Sequence, residues 1–390
     1  MLLSNLSSHL SPLLTSPSFF DPPAPTAQNP NPNPTQLQAL SLATLAGELL
    51  ETFKAFGLGS DLDGLKGIRE GLVSVVHRVV QPLVNGIKNE MLPLIEALET
   101  TPLTSVKAAK GQQSTLPVVI PIYARAMQRY ISTPAAHQIL ASFLISVLWR
   151  GLIVLAHARR NMSFTPPSSP SMLPTGLAKK KRGGSPPSTT PVTSSSTTPP
   201  VTPPPSRFTI KLPVSRPPSP PVSSAPSDVL AIADARTLYD ILNLFPRPDD
   251  SEKLAKEAVG EAFEALRTLA PFMEAARTLP SRVKGNSEAK NVLAPELVKL
   301  AWELPTLVAL PVLFNVYDPS IRVSDLIGMN DEEEYRVSCL SGFGRADECA
   351  VIVGERVLDV LYDTAKKPSA LRDVISSWLE ADLEEAGGNH

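Results

Sequence analysis

The sequence predicts an all-α protein, an irregular helical bundle in two parts joined by a long disordered Pro/Ser/Thr-rich linker. Three observations carry that expectation. Apolar residues recur three and four apart over long stretches, as helices with one buried face require. Runs of β-branched residues are short, and no Asn-Gly or Asp-Gly pair joins alternating segments into a hairpin. Prolines, 41 in 390 residues, cluster: eight fall in residues 1 to 34 and 18 in residues 162 to 226. No repeat of fixed period is visible, which leaves a HEAT-like solenoid as a lesser alternative.

Residues 1 to 34 run into PPAPTAQNPNPNPTQ, whose repeated Pro and Asn oppose both helix and sheet. A disordered tail is expected there. Residues 35 to 161 form the N-terminal helical part. Its first helix, from Gln36, places Leu42, Leu45, Leu49 and Phe53 at helical spacing and stops at Gly57, a natural C-cap. The next has the clearest periodicity, from Leu62 through Leu72, Val76, Val80 and Leu83 to Ile87, with Ser60 or Asp61 as a cap. Pro82 is expected to kink or divide it and Pro93 to begin a further piece. After a polar loop, a helix is expected to resume near Pro121, followed by the most apolar stretch, ASFLISVLWRGLIVLAHARR.

Residues 162 to 226 have almost no apolar periodicity, so burial cannot offset their ordering entropy. The C-terminal helical part, 227 to 386, reads as short helices with prolines at their starts. Asn330 and the acids after it look like a helix N-terminus, and helices are expected from about 346 to 365 and 369 to 385. The two parts can pack as one domain.

The net charge of −2 hides an asymmetry: 12 Lys/Arg against 8 Asp/Glu in residues 35 to 161, seven Lys/Arg and no acid in 162 to 226, and 17 against 29 from 227 onward. Opposed charge favours docking of the two parts only weakly, because salt screens it over about 8 to 10 Å. The acidic half argues against nucleic acid as a partner. Cys339 and Cys349 make no disulfide framework, which points to an intracellular setting. The N-terminus has neither a basic n-region nor an unbroken apolar run, so no secretory signal is expected, and with Lys54 as the first basic residue it lacks an Arg-rich transit peptide.

No catalytic constellation stands out, and no cofactor or metal is expected. His9, His77, His137, His157 and His390 each read as a satisfied surface or core histidine. The cysteines, ten apart with no CxxC, read as small buried thiols. SGFGRADEC, residues 341 to 349, lacks the third glycine and the Lys-Ser/Thr ending of a phosphate loop, and reads as a glycine break between helices.

The linker carries the stronger signals. Lys179, Lys180, Lys181 and Arg182 form a compact basic cluster of the kind a nuclear import receptor reads, with a solubilising cluster or an acidic-lipid contact as the alternatives. Seven Ser/Thr-Pro steps, at Thr165, Ser169, Ser185, Thr190, Thr198, Thr202 and Ser219, suit a proline-directed kinase. Full phosphorylation would reverse the local charge. Phe208, Ile210 and Leu212 alternate as a strand-adding linear motif would, beside PxxP steps from Pro217 and Pro218.

Residues 139 to 156 pose the choice between a membrane span and a core helix. Eleven Leu, Ile, Val and Phe contribute roughly −0.3 to −0.6 kcal/mol each, against roughly +2.5 to +3.5 for Arg150 near the centre. The sum is near zero. The amphipathic helices around it need an apolar partner, which favours a core helix with Arg150 leaving at an edge towards solvent or a carboxylate of the acidic half.

These features point to a non-enzymatic intracellular adaptor or scaffold, in cytoplasm or nucleus, with protein partners and a phosphorylatable linker. The alternatives are a membrane-associated trafficking or organelle factor anchored through residues 139 to 156, and an enzyme with an unrecognised helical active site. The sequence names no small-molecule ligand.

Overall fold

In the computed structural model the described residues are 2–58, 65–103, 115–158, 227–284, 289–329, 331–363 and 369–388. They form thirteen α-helices and a few short 3-10 turns, with no strand among them. The protein is all-α.

The N-terminal segment departs from the tail expected over residues 1 to 34. Helix α1, Leu2–Thr15, packs on α2, Pro34–Ala55, and α3, Lys66–Glu96. Leu6, Leu10, Phe19 and Ala24 are buried in the common core. The Pro/Asn run works as a fastening. Asn33 caps α2 in a reciprocal box with Gln36, and the Gln36 side-chain amide donates to the Phe19 carbonyl at 2.9 Å. Gly86 of α3 admits the segment: a Cβ there would fall 1.9 Å from the Pro23 carbonyl oxygen.

Helix α2 ends as its sequence predicts. Gly57 adopts φ +70°, and the Gly57 and Leu58 amides bond back to the Lys54 and Phe53 carbonyls, a Schellman motif. Its fully buried face is shifted from the leucine stripe. Ala39, Leu40, Ala43, Ala46 and Gly47 are buried, Leu42, Leu49 and Phe53 pack half-buried against the core, and Leu45 is 45% exposed.

Pro82 and Pro93 neither divide α3 nor begin a new helix; α3 is continuous. A proline forfeits one backbone bond. Val79, Val80, Leu83 and Val84, buried on both sides of Pro82, hold the turns together. The expected caps Ser60 and Asp61 lie outside the described residues. Helix α4, Leu116–Tyr130, begins one turn before Pro121, and α5, His137–Ala156, follows it.

Beyond the linker come α6, Ser227–Leu242, and α7, Lys253–Lys284. Of the prolines expected at helix starts, Pro271 stands inside α7 and Pro295 inside α8, Ala289–Ala301. Pro305 alone among them caps a helix, α9, Thr306–Tyr317, in which every residue from 306 to 314 is buried. Helices α10, Val323–Leu326; α11, Glu332–Cys339; α12, Phe343–Asp363; and α13, Ala370–Gly388, complete the fold.

Residues 1–161 and 225–390 belong to one compact unit; the other unit, Met162–Ser224, lies outside the described residues. Helix α5 packs against α3, α6, α7 and α9, and α7 against α6, α8, α9 and α13. Gly151 lets α5 approach α6, since a Cβ there would meet Leu238 at 2.8 Å. Burial covers 78% of the apolar window in Pro134–Ala156. The exposed or half-buried positions of α5 include Ser142, Ser146 and Arg150, four apart along one edge.

Candidate functional site

Arg150 leaves the core at that edge. Its guanidinium meets Glu96 at the end of α3, with Nη2 and Nε 2.7 and 2.9 Å from Oε1. The carboxylate comes from the N-terminal part rather than from the acidic half. Contacts across the linker are of another kind. Trp149 Nε1 donates to the Leu340 carbonyl at 2.7 Å, the Leu103 amide donates to Asp234 at 3.2 Å, and His137 Nδ1 stands 3.1 Å from Asp249.

One cross-linker contact builds a site. Arg336 of α11 forms a two-pronged ion pair with Glu99, in the 3-10 turn that follows α3, at 2.9 and 2.7 Å. The basic partner therefore comes from the acidic half, which whole-segment charge counting does not anticipate. Helix α11 is capped by Asp331 and opens with three acids in its first turn, the sign its dipole favours. Glu332 and Arg336 stand one turn apart and present both charges on one face.

Against that face lies His157, the C-terminal cap of α5. It is 8% exposed. Its Nδ1 lies 2.8 Å from the Ile153 carbonyl, and since a carbonyl only accepts, Nδ1 carries the proton. Nε2 is then an acceptor. It stands 3.6 Å from Glu332 Oε1 and has no hydrogen-bond partner. Arg336 Nε, also 3.6 Å from that oxygen, is a buried donor without a hydrogen bond. The other Glu332 oxygen accepts from Ser324 at 2.7 Å.

Burial lowers the His157 pKa, and Arg336 lowers it further, against the Ile153 carbonyl and the Glu332 and Glu99 carboxylates. The imidazole is neutral at physiological pH. Burial pushes Glu99 up, but the Arg336 hydrogen bonds and charge, with help from Arg150 and from His157 once that ring is protonated, more than reverse this and leave it below its ordinary value. Donating to the Glu99 carboxylate holds Arg336 above its ordinary value against desolvation.

These groups line a cleft of about 370 Å³, with Thr100, Ser320 and Arg322 towards its mouth. Arg322 is exposed. The volume is at the small end for ligand pockets. Among the described residues no group of three His, Cys, Asp or Glu is placed to hold a metal ion.

The sequence reading of His157 as a satisfied histidine holds for Nδ1 and fails for Nε2. The local signal is only its position, at the end of the most apolar helix, where a polar ring must be buried. His9 is exposed and His77 half-buried on α3, while His390 lies outside the described residues. Cys339 and Cys349 are buried free thiols, and burial together with the neighbouring Cys339 pushes Cys349 up, away from thiolate chemistry.

The linker candidates fall outside the described residues: the cluster Lys179 to Arg182, all seven Ser/Thr-Pro steps, and the motif Phe208, Ile210 and Leu212. Comparison with family models, with curated proteins and with solved structures finds no match.

Proposed function

We propose that the chain is a non-enzymatic helical scaffold of the cytoplasm or nucleus, whose body displays the Pro/Ser/Thr-rich segment to protein partners and to a proline-directed kinase. The supporting observation is topological. Helices on both sides of the segment, α5 and α6, pack on each other in one unit, so roughly 65 residues are tethered at both ends to one body. Partner motifs there can be read without disturbing the core.

Proximity labelling in the native cell tests the reading. The full chain is compared with a variant in which residues 162–224 are replaced by a Gly/Ser segment of about 20 residues, which reaches roughly 25 Å. A second variant carries F208A, I210A and L212A. A neighbour set that depends on the segment supports the scaffold; an identical set without it sinks the proposal.

A second reading, an enzyme, draws on the cleft. A neutral imidazole oriented through its other nitrogen is what general-base catalysis needs. Among the described residues no hydroxyl or thiol is within hydrogen-bond reach of His157 Nε2, so the base has no nucleophile of its own. The membrane reading draws on the mean hydropathy of 2.2 in the 18-residue apolar window within Pro134–Ala156 and is opposed by the burial of most of that window.

A further inference from the structure

Sulphur atoms gather where α10, α11 and α12 meet. Cys339 is the last residue of α11, Cys349 lies in the second turn of α12, and Met329 stands between α10 and α11. Ser338 brings them together: its Oγ lies 3.9 Å from both the Met329 and the Cys339 sulphur, and its carbonyl oxygen 4.0 Å from Cys349 Sγ. The Cys339 thiol is also a hydrogen-bond partner of Cys349. All three sulphur-bearing side chains line one cleft of about 310 Å³, with Ile327, Ile352, Val353 and Arg356 completing it. Cys339 keeps 5% and Cys349 9% exposure, and Met329 is half-buried, so none of the three is sealed off.

The donor set of this cleft is narrow. Among the described residues no histidine or carboxylate lines it, so cations that need oxygen ligands find no purchase there. Zinc in a closed site takes four thiolate, imidazole or carboxylate ligands, and the cleft supplies two. Two thiolates and a thioether are soft donors, the kind that selects copper(I). The unbranched Met329 side chain can swing its sulphur onto an ion seated between the thiols.

The charges fit as well. Copper(I) displaces one proton from each thiol, so the ion with two thiolates and a neutral thioether carries a single negative charge. Two guanidiniums stand close enough to answer it. Arg356 lines the cleft, and Arg345, which also pairs with Glu348, donates from Nε to the Ser338 carbonyl at 2.7 Å, the oxygen that Cys349 faces. The free Cys349 thiol keeps its proton, and an incoming soft ion is what removes it.

We propose that Cys339, Cys349 and Met329 form a copper(I) site, with one ion held between two thiolates and the Met329 thioether. The site lies beyond the scaffold function, which does not depend on it. It gives the body of the protein a soft-metal ligand that ties α11 to α12.

The test uses the full chain, reduced and kept free of oxygen, with copper(I) supplied as its bicinchoninate complex. Loss of that complex's visible absorbance reports transfer to the protein. The chain should take up copper, and copper-edge X-ray absorption should show a shell of sulphur alone. Cys339→Ser and Cys349→Ser should each abolish uptake, and Met329→Leu, which conserves volume, should weaken it. Zinc(II) offered as a chromogenic chelate should stay with the chelator. If a serine variant does not fold, the wild-type absorption edge still decides, because the chain has two cysteines in all. No uptake, a shell containing nitrogen or oxygen, zinc held as firmly as copper, or unchanged affinity in Met329→Leu would overturn the proposal.

Discussion

Arg336 grips Glu99 across 237 positions of sequence, with its two terminal nitrogens 2.9 and 2.7 Å from the two carboxylate oxygens. The Arg336 side chain is 13% exposed and that of Glu99 29%. Removing one partner strands the other charge in a largely dry position, at a cost of about 3 kcal/mol. Glu99→Gln and Arg336→Met should each lower the midpoint of urea unfolding, and the double variant should lose less than the sum of the two. A strictly additive cycle would show that the pair contributes nothing of its own.

Arg150 and Glu96 make a contrasting pair, 31% and 46% exposed. Solvent screens such a bridge, so Arg150→Gln should cost no more than about 1 kcal/mol in chemical denaturation. The same burial argument applies to the helix around it. Alkaline carbonate should release the protein from cell membranes, since most of the apolar window of α5 is already covered by α3, α6, α7 and α9. Retention in the pellet would favour the membrane anchor instead.

Two glycines should respond to alanine with opposite signs. Gly260, in α7, has nothing within 4 Å of an added Cβ, so Gly260→Ala should stabilise by about 0.5 to 1 kcal/mol through helix propensity. Gly86→Ala would drive a methyl group into the Pro23 backbone. It should loosen the N-terminal segment, and limited proteolysis should then cut within residues 1–34 while the wild type resists.

Acid should weaken the fold in two stages. Burial holds the folded-state pKa of His157 below its ordinary 6.5, so the unfolded chain takes up that proton first. Stability attributable to His157 is complete above about 6.5 and falls as pH drops through it. Glu99, also lowered in the folded state, adds a second loss at more acidic pH, below its ordinary 4.5. Thermal unfolding followed against pH should show both limbs, and His157→Gln should flatten the upper one alone.

The helical class was legible because three-and-four spacing survives in any sequence with one buried face. So was Arg150: Ser142, Ser146 and Arg150 stand four apart and mark a polar edge on an otherwise apolar helix. The order of the N-terminal segment was written in Leu3, Leu6, Leu10 and Leu13, at helical spacing, but the proline and asparagine run after them outweighed it. The buried face of α2 was hidden because alanines carry it, and alanine gives a weak periodic signal beside leucine. The cleft was not legible at all. It draws on the end of α5, a turn after α3 and one face of α11, and nothing in a local pattern pairs Glu99 with Arg336 or turns His157 towards Glu332.

Helices from before and after the linker complete one another's core, and this changes what a break in the chain would do. Peptide continuity through residues 162–224 carries no part of the packing between α5 and α7. A protein nicked there should behave as a pair of complementing fragments, eluting together and melting together, while either fragment expressed alone would expose the apolar flank its counterpart covers. Cleavage between residues 162 and 224 would thus leave the packing of α5 on α6 and α7 in place.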